Sequence, residues 1–247
     1  MSQEKKVMWF EEWFDTSYYH TLYKHRDEKE AELFISALLD ELKVPSGTKC
    51  LDLACGKGRH ALYLNKKGLD VVGLDLSENS ISKAKELEKK GLHFDVHDMR
   101  EVYKDNEFDV VFNLFTSFGY FDSSKDNLRV LTAVHRMLRP GGKLVLDFMN
   151  VPVVLKNLVP KETKEIDGIT FDISREFDGT HIFKYIGVLD NNTRTDFQER
   201  VQALFLEDFE NLLKQSGFEI AKLFGNFMLN PFDINSSRRL IIIANKI

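Results

Sequence analysis

A glycine-rich segment follows a short apolar stretch near residue 50 of this chain. It reads Leu51-Asp52-Leu53-Ala54-Cys55-Gly56-Lys57-Gly58 and continues as Arg59-His60-Ala61. Glycines permit the backbone conformations of a sharp turn, and the first turn of a following helix points free N–H groups at a ligand. The segment therefore predicts a strand, a tight turn and a helix that together form a cradle for a nucleotide-type ligand.

Short apolar segments and helical patterns alternate over the next hundred residues. Strands are predicted at 50–53, 70–75, 92–97, 108–114 and 143–148, with helices between most of them and one helix before the first strand. The segment 139–142 is predicted to be a turn. Strands joined by helices of this length are typical of a parallel sheet with helices on both faces. We expect an α/β, doubly wound sheet.

The pattern changes between about residues 161 and 206. Three β-prone segments, 169–174, 181–188 and 195–203, are separated by turn residues, which predicts a small inserted antiparallel sheet. A helix at 207–216 and strands at 217–220 and 239–244 follow. We therefore predict one domain over 1–247, with an N-terminal arm (1–26), a ligand-binding core (27–150), the inserted sheet (151–206) and a final helix and strands (207–247).

Composition narrows the classes of protein. The chain has 247 residues and a formal net charge of −5, which argues against a general nucleic-acid binder. No apolar run approaches the roughly 20 residues that span a bilayer, and the N-terminus lacks an apolar signal core. Cys50 and Cys55 do not form a Cys-x-x-Cys pattern. We expect a cytoplasmic protein with no membrane, nucleic-acid or metal partner, and a homodimer is possible through the edges of the inserted sheet.

Acidic residues follow the predicted second and third strands. Asp75 ends the second strand, 23 residues after Asp52, and Asp98 with Met99 follows the third. Each aspartate alone could be a strand-end cap or a solvated loop residue, and the glycine loop alone could be a turn without a ligand. Because the carboxyl ends of parallel strands line one crevice, the set favours adenosine binding. At this point the loop fits the dinucleotide pattern G-x-G-x-x-A as well.

The separated motifs together resemble those of class I S-adenosylmethionine-dependent methyltransferases. They are 52–58, Asp75, Asp98, the strand from Phe108, Leu138-Arg139-Pro140-Gly141-Gly142-Lys143 and the final two strands. The resemblance covers roughly residues 45–150 and implies a Rossmann-like sheet whose last strand is antiparallel. A nicotinamide enzyme has no particular use for the 139–142 segment. Ala54 stands where many members have glycine, and alanine fits there if its φ is negative.

The resemblance implies S-adenosylmethionine as cofactor and assigns residues to it. Asp52 orients the loop and approaches the methionyl amine, Asp75 binds ribose, and Asp98 with Met99 binds adenine. The full implied set from the core is Asp52, Ala54, Gly56, Asp75, Leu76, Asp98, Met99, Asn113 and Leu114, with Asn113 and Leu114 beside the sulfonium.

The N-terminal arm is rich in aromatic residues. They are Trp9, Phe10, Trp13, Phe14, Tyr18, Tyr19 and Tyr23. One interpretation is a helix that packs these rings on the core. The other is a lid over the cationic cofactor, since aromatic faces attract cations. By resemblance to glycine N-methyltransferase, Tyr19, Tyr23 and Arg26 would contact the polar tail of the cofactor.

The segment 116–122 after the fourth strand should border the transferred methyl group. It resembles the corresponding loop of small-molecule N-methyltransferases, although Phe118, Tyr120 and Phe121 could equally be core residues. Methyl transfer is an in-line displacement in which alignment can supply most of the catalysis. If an acid–base group takes part, the candidates are His20, Tyr120 and Asp122. The acceptor is expected to be a small molecule, with nitrogen favoured over oxygen; a protein or RNA methyltransferase and an inactive cofactor-binding module are the alternatives.

Overall fold

The structure is a computed structural model that describes residues 9–24, 28–121 and 123–247. The helices are α1 (Trp9–Phe14), α2 (Ser17–Leu22), α3 (Glu28–Leu42), α4 (Arg59–Lys66), α5 (Glu78–Lys85), α6 (Ser124–Met137), α7 (Val151–Lys156) and α8 (Leu206–Gln215). The strands are β1 (Lys49–Leu53), β2 (Asp70–Asp75), β3 (Leu92–Val96), β4 (Phe108–Asn113), β5 (Leu138–Met149), β6 (Lys161–Ile166), β7 (Ile169–Phe177), β8 (His181–Asp190), β9 (Thr193–Gln202), β10 (Phe218–Phe224) and β11 (Arg239–Lys246).

Contacts within the chain divide it into two units. The core unit comprises Asp27–Lys156 and Leu204–Ile247. The arm unit comprises Met1–Arg26 and Asn157–Ala203, so the arm segment is grouped with the inserted sheet. Sequence reasoning did not foresee this grouping, because aromatic residues indicate that a segment packs without indicating its partner.

The core unit contains a seven-stranded sheet in the order β10-β11-β5-β4-β1-β2-β3. Strands β1 to β5 are parallel to one another, whereas β11 is antiparallel to both β5 and β10. This confirms the predicted doubly wound sheet with an antiparallel last strand. The strands after β1 are added on one side of it as far as β3, and β4 then lies on its other side. This reversal of strand order creates a crevice at the carboxyl ends of β1 and β4.

Helices cover both faces of this sheet. Phe34 of α3 and Val145 of β5 belong to one buried cluster, which also contains α4 and α5 side chains. Phe148 lies three residues after Val145 and therefore points to the opposite face. There its ring contacts that of Phe209 in α8, with centroids 5.2 Å apart. The two apolar layers hold the carboxyl ends of the strands in a fixed arrangement.

Three elements differ from the sequence prediction. Strand β5 begins at Leu138 rather than Lys143, because the predicted turn at 139–142 is an irregularity within the β4–β5 ladder. Helix α7 was not predicted, since its six residues are too few to show periodicity. Strand β6 was also missed; it is a mostly polar strand that pairs only with β7 at the edge of its sheet.

The arm unit consists of α1, α2 and a four-stranded antiparallel sheet in the order β6-β7-β8-β9. Trp13 is completely buried, and its ring centroid lies 4.8 Å from that of Phe197 in β9. Tyr18, Tyr19 and Tyr23 pack against the same cluster, which includes Phe171 and other β7 and β8 side chains. The arm's aromatic residues thus have a packing role; the lid role stays a prediction.

Candidate cofactor site

The loop between β1 and α4 contains three residues in the left-handed region of backbone conformation. The φ angles are +62° at Ala54, +55° at Gly56 and +80° at Gly58. The expectation that alanine fits at position 54 through a negative φ is therefore wrong. A side chain in this conformation costs roughly 1–2 kcal/mol, so Ala54 is a strained position within the loop.

We expect the substitution Ala54→Gly to raise the free energy of unfolding by about 1 kcal/mol, because glycine adopts positive φ without a steric penalty. Urea denaturation measures the change. The control is Ala37→Gly within α3, where glycine should instead lower stability by about 1 kcal/mol. A loss of stability in both variants would contradict the strain at Ala54.

Asp75 fixes the shape of the loop from the end of β2. One carboxylate oxygen accepts the Gly56 N–H at 2.8 Å, and the other accepts the Ser77 N–H at 2.9 Å. A Cβ built at Gly56 would have no heavy atom within 4 Å. Asp75 thus anchors the loop through the Gly56 N–H, while the space on the Cα side of Gly56 is open to a ligand.

Two buried oxygen atoms lie at the carboxyl ends of the neighbouring strands β1 and β4. Asp52 is 1% exposed and Asn113 is 2% exposed. The Asn113 amide donates to the Leu53 carbonyl at 3.0 Å. Asp52 Oδ2 and Asn113 Oδ1 have no hydrogen-bonding partner among the described residues. Unpartnered buried acceptors are costly, so this pair favours a ligand that brings donors or positive charge.

Burial raises the pKa of Asp52 to about 7. The negative charge of Asp75 raises this pKa further. The Ala61 N–H, which bonds to the Asp52 carboxylate, and the positive charge of Arg59 both lower it. At neutral pH the carboxylate is therefore poised between its protonated and ionised forms. A cation placed beside Oδ2 would favour ionisation.

Asp98 lies two residues after the end of β3, near the position predicted for an adenine-binding residue, but its carboxylate already contacts Arg100. The Arg100 side chain donates from Nε at 3.0 Å and from Nη2 at 2.5 Å. Burial opposes ionisation of Asp98, yet the Arg100 bonds dominate and its pKa lies below the usual value. Arg100 also lies over the ring of Phe121, 4.6 Å from the centroid. Leu76 and Met99, which follow β2 and β3, are half-buried.

The segment after β4 combines core residues with an unusual turn. Phe118 and Phe121 are buried, so the core-packing interpretation applies to both, whereas Tyr120 is half-buried. Asp122 lies outside the described residues. Sequence reasoning did not foresee that Phe115 and Thr116 both have positive φ, because neither residue is glycine and nothing else in the sequence signals such a turn.

The remaining predicted residues belong to the arm unit. Tyr19 and His20 are adjacent on α2, with ring centroids 5.3 Å apart. The Tyr23 hydroxyl donates to Glu199 Oε1 at 2.7 Å, and Glu199 also accepts the Trp13 indole N–H at 2.7 Å. Arg26 lies outside the described residues. The roles of these residues toward a cofactor or an acceptor stay predictions.

Within the described residues (9–24, 28–121 and 123–247), no helix is long and apolar enough to cross a membrane. Over the same part of the chain, no three His, Cys, Asp or Glu side chains are grouped so that they could hold a metal ion.

The doubly wound sheet, its antiparallel last strand and the glycine loop after β1 together define a class I methyltransferase fold. A family model described as a methyltransferase domain matches residues 51–146. YqeM of Bacillus subtilis (strain 168), named as a candidate methyltransferase, is 30% identical over 198 residues, or 76% of this chain and 80% of the relative. The chain belongs to the class I S-adenosylmethionine-dependent methyltransferases, which confirms the family and cofactor expected from the sequence.

Two further comparisons agree with this assignment. A glycine/sarcosine N-methyltransferase of Halorhodospira halochloris is 28% identical over 214 residues, which is 82% of this chain and 75% of the relative. The crystal structure of a S-adenosylmethionine-dependent methyltransferase from Clostridium acetobutylicum ATCC 824 has a TM-score of 0.79 at 22% identity, and the match covers 92% of this chain and 96% of that chain.

Proposed function

We propose that this methyltransferase transfers a methyl group to a nitrogen atom of a small-molecule acceptor. The cofactor part rests on one observation: two buried, unpartnered oxygens, Asp52 Oδ2 and Asn113 Oδ1, lie at adjacent strand ends of the unit that carries the open Gly56 loop. S-adenosylmethionine, when bound, supplies a methyl group activated by a sulfonium and carries the donors and positive charge that these oxygens lack.

The residues of the core divide the recognition of the cofactor among them. Asp52 and Asn113 accept from the methionyl ammonium, and Leu114 lies beside the sulfonium. Asp75 accepts the ribose hydroxyls at the end of β2, where the Gly56 and Ser77 N–H groups hold its carboxylate. Asp98, Met99 and Leu76 contact the adenine side, and Arg100 keeps the Asp98 carboxylate ionised.

The acceptor assignment has different support. The glycine/sarcosine N-methyltransferase relative, by its name, methylates nitrogen in small molecules. The net charge of −5 disfavours a polyanionic substrate. A neutral amine already carries the lone pair that displacement requires, so alignment by a side chain such as Tyr120 suffices without a strong base.

A titration calorimetry experiment tests the cofactor site. We expect S-adenosylmethionine and S-adenosylhomocysteine to bind, and Asp75→Ala to weaken both affinities at least about tenfold, because charge-assisted hydrogen bonds are worth about 1.5–3 kcal/mol. Asp70→Ala removes a carboxylate at the other end of β2 and serves as the control. Folded wild-type protein that binds neither compound would contradict the proposal.

An acceptor screen tests the second part. Matched pairs of compounds, each an amine and its hydroxyl analogue, are incubated with S-adenosylmethionine, and formation of S-adenosylhomocysteine is measured. Methylation of amines, reduced in Asp75→Ala, supports the proposal. Methyl transfer only to hydroxyl analogues, or only into the protein or RNA fraction of a cell extract, would overturn the acceptor assignment.

A further inference from the structure

The turn that follows β4 is strained at two consecutive residues. Phe115 has a φ of +59° and Thr116 a φ of +60°. Neither residue is glycine, and a β-branched residue such as threonine is a particular outlier in this region. Strained turns of this kind persist only where the surrounding structure holds them, and they are concentrated at functional sites.

Asp147 of β5 holds this turn through three interactions. Its carboxylate Oδ2 accepts the Phe115 N–H at 2.8 Å, and its backbone carbonyl accepts the Thr116 N–H at 3.0 Å. Asp147 is completely buried, and its Oδ1 accepts from Nε of Arg239 at 2.7 Å. The Arg239 Nη2 in turn donates to Thr116 Oγ1 at 2.8 Å. The pair therefore encloses the turn in a ring of hydrogen bonds.

The Phe115 side chain is held as firmly as its backbone. Its ring is stacked between His60 and Phe227, with centroid distances of 4.8 and 5.1 Å. His60 is the second residue of α4, the helix after the glycine loop. Burial, with the positive charge of Arg59, lowers the pKa of His60 to about 3, so an uncharged imidazole lies against the ring. The stack thus connects the turn to the helix that begins at the cofactor loop.

We propose that Asp147 and Arg239 are positioning residues for methyl transfer. They keep Phe115 and Thr116 in the left-handed conformation, and this fixes Asn113 and Leu114, the two residues before the turn, at the methionine part of the cofactor. The inference rests on the proposed function, which places those two residues there.

A double-mutant cycle tests this role. The variants are Arg239→Met, Thr116→Gly and the combination, with Arg238→Met as the control at the exposed neighbouring arginine. Affinities for S-adenosylmethionine and S-adenosylhomocysteine are measured by calorimetry, and the urea midpoint of unfolding is measured without ligand. If the turn keeps its left-handed conformation in only a tenth of the Arg239→Met molecules, this variant should bind S-adenosylmethionine about tenfold more weakly than the wild type.

Glycine at position 116 adopts positive φ freely, so the turn should then keep its conformation without the contacts of Arg239. We therefore expect Thr116→Gly to restore most of the affinity lost in Arg239→Met. The urea midpoint should stay low in the double variant, because Asp147 remains buried without its ion-pair partner. If Arg239 only supported the pairing of β5 with β11, Thr116→Gly would not rescue the Arg239→Met variant. An unrescued double variant, or unchanged affinity in Arg239→Met, would overturn the positioning role while leaving the cofactor site intact. Wild-type protein that binds neither compound would instead overturn the proposed function, and the positioning role with it.

Discussion

Replacing Asp52 with asparagine should make the ligand-free protein more stable at pH 8 and its cofactor binding weaker. The ionised carboxylate is buried with an unpartnered oxygen, which raises its pKa from 3.8 to about 7. A pKa of about 7 in place of 3.8 corresponds to roughly 4 kcal/mol against the ionised form. Because the new amide also lacks a partner there, we expect a gain of about 2 kcal/mol in the free energy of unfolding.

The pH dependence of this gain follows from the direction of the shift. The folded state binds the Asp52 proton more tightly than the unfolded state, so the stability of the wild type decreases as pH rises from about 4 to about 7 and then levels off. The advantage of Asp52→Asn should grow over the same interval and stay constant above it. Urea denaturation at a series of pH values measures the difference between the two proteins.

Cofactor binding should change in the opposite sense. A bound cation favours ionised Asp52, so the wild type should release up to one proton per cofactor near pH 6.5, and Asp52→Asn should release fewer and bind at least about tenfold more weakly at pH 8. Calorimetry in two buffers with different ionisation enthalpies measures the protons. Asp70→Asn, at the opposite end of β2, is the control. Equal affinities in wild type and Asp52→Asn would contradict the role assigned to this carboxylate.

Replacing Gly58 with alanine should be the most destabilising single change in the cofactor loop. Its φ of +80° imposes a backbone penalty of roughly 1–2 kcal/mol on any side chain. In addition, a Cβ would lie 2.6 Å from two ring atoms of Phe94, and such overpacking typically costs about 1–3 kcal/mol. We expect a total loss of about 3 kcal/mol, measured by urea denaturation, together with loss of cofactor binding.

Two comparisons separate the parts of this effect. Gly141 has a similar φ of +75° but open space at its Cβ position, so Gly141→Ala should show the backbone penalty alone. Phe94→Leu shortens the opposing side chain, and Gly58→Ala should therefore cost less in that background than in the wild type. Equal losses in Gly58→Ala and Gly141→Ala would show that the close approach of α4 to Phe94 is unimportant.

Sequence reasoning located the elements whose signals are local. The apolar runs of β1, β2 and β4 and the glycines after β1 are visible in a few adjacent residues, and their order determines a doubly wound sheet. The short helix α7 and the polar edge strand β6 were missed, because their residues carry neither a clear period nor an apolar face. Ala54 was misjudged for a related reason: the φ of a residue in a loop depends on what anchors the loop, here Asp75 through Gly56.

By itself, then, the sequence predicted an adenosine site, since motifs at successive strand ends must converge on one edge of a parallel sheet. The resemblance of those motifs to a known family indicated the class of protein and its cofactor. Only the tertiary structure decided the state of the side chains at that edge. It left oxygens of Asp52 and Asn113 without partners, directed Arg100 onto Asp98, and joined Asp147 and Arg239 around Thr116. These contacts join residues up to 123 positions apart, and burial and pairing at such distances depend on how the layers pack rather than on any local pattern.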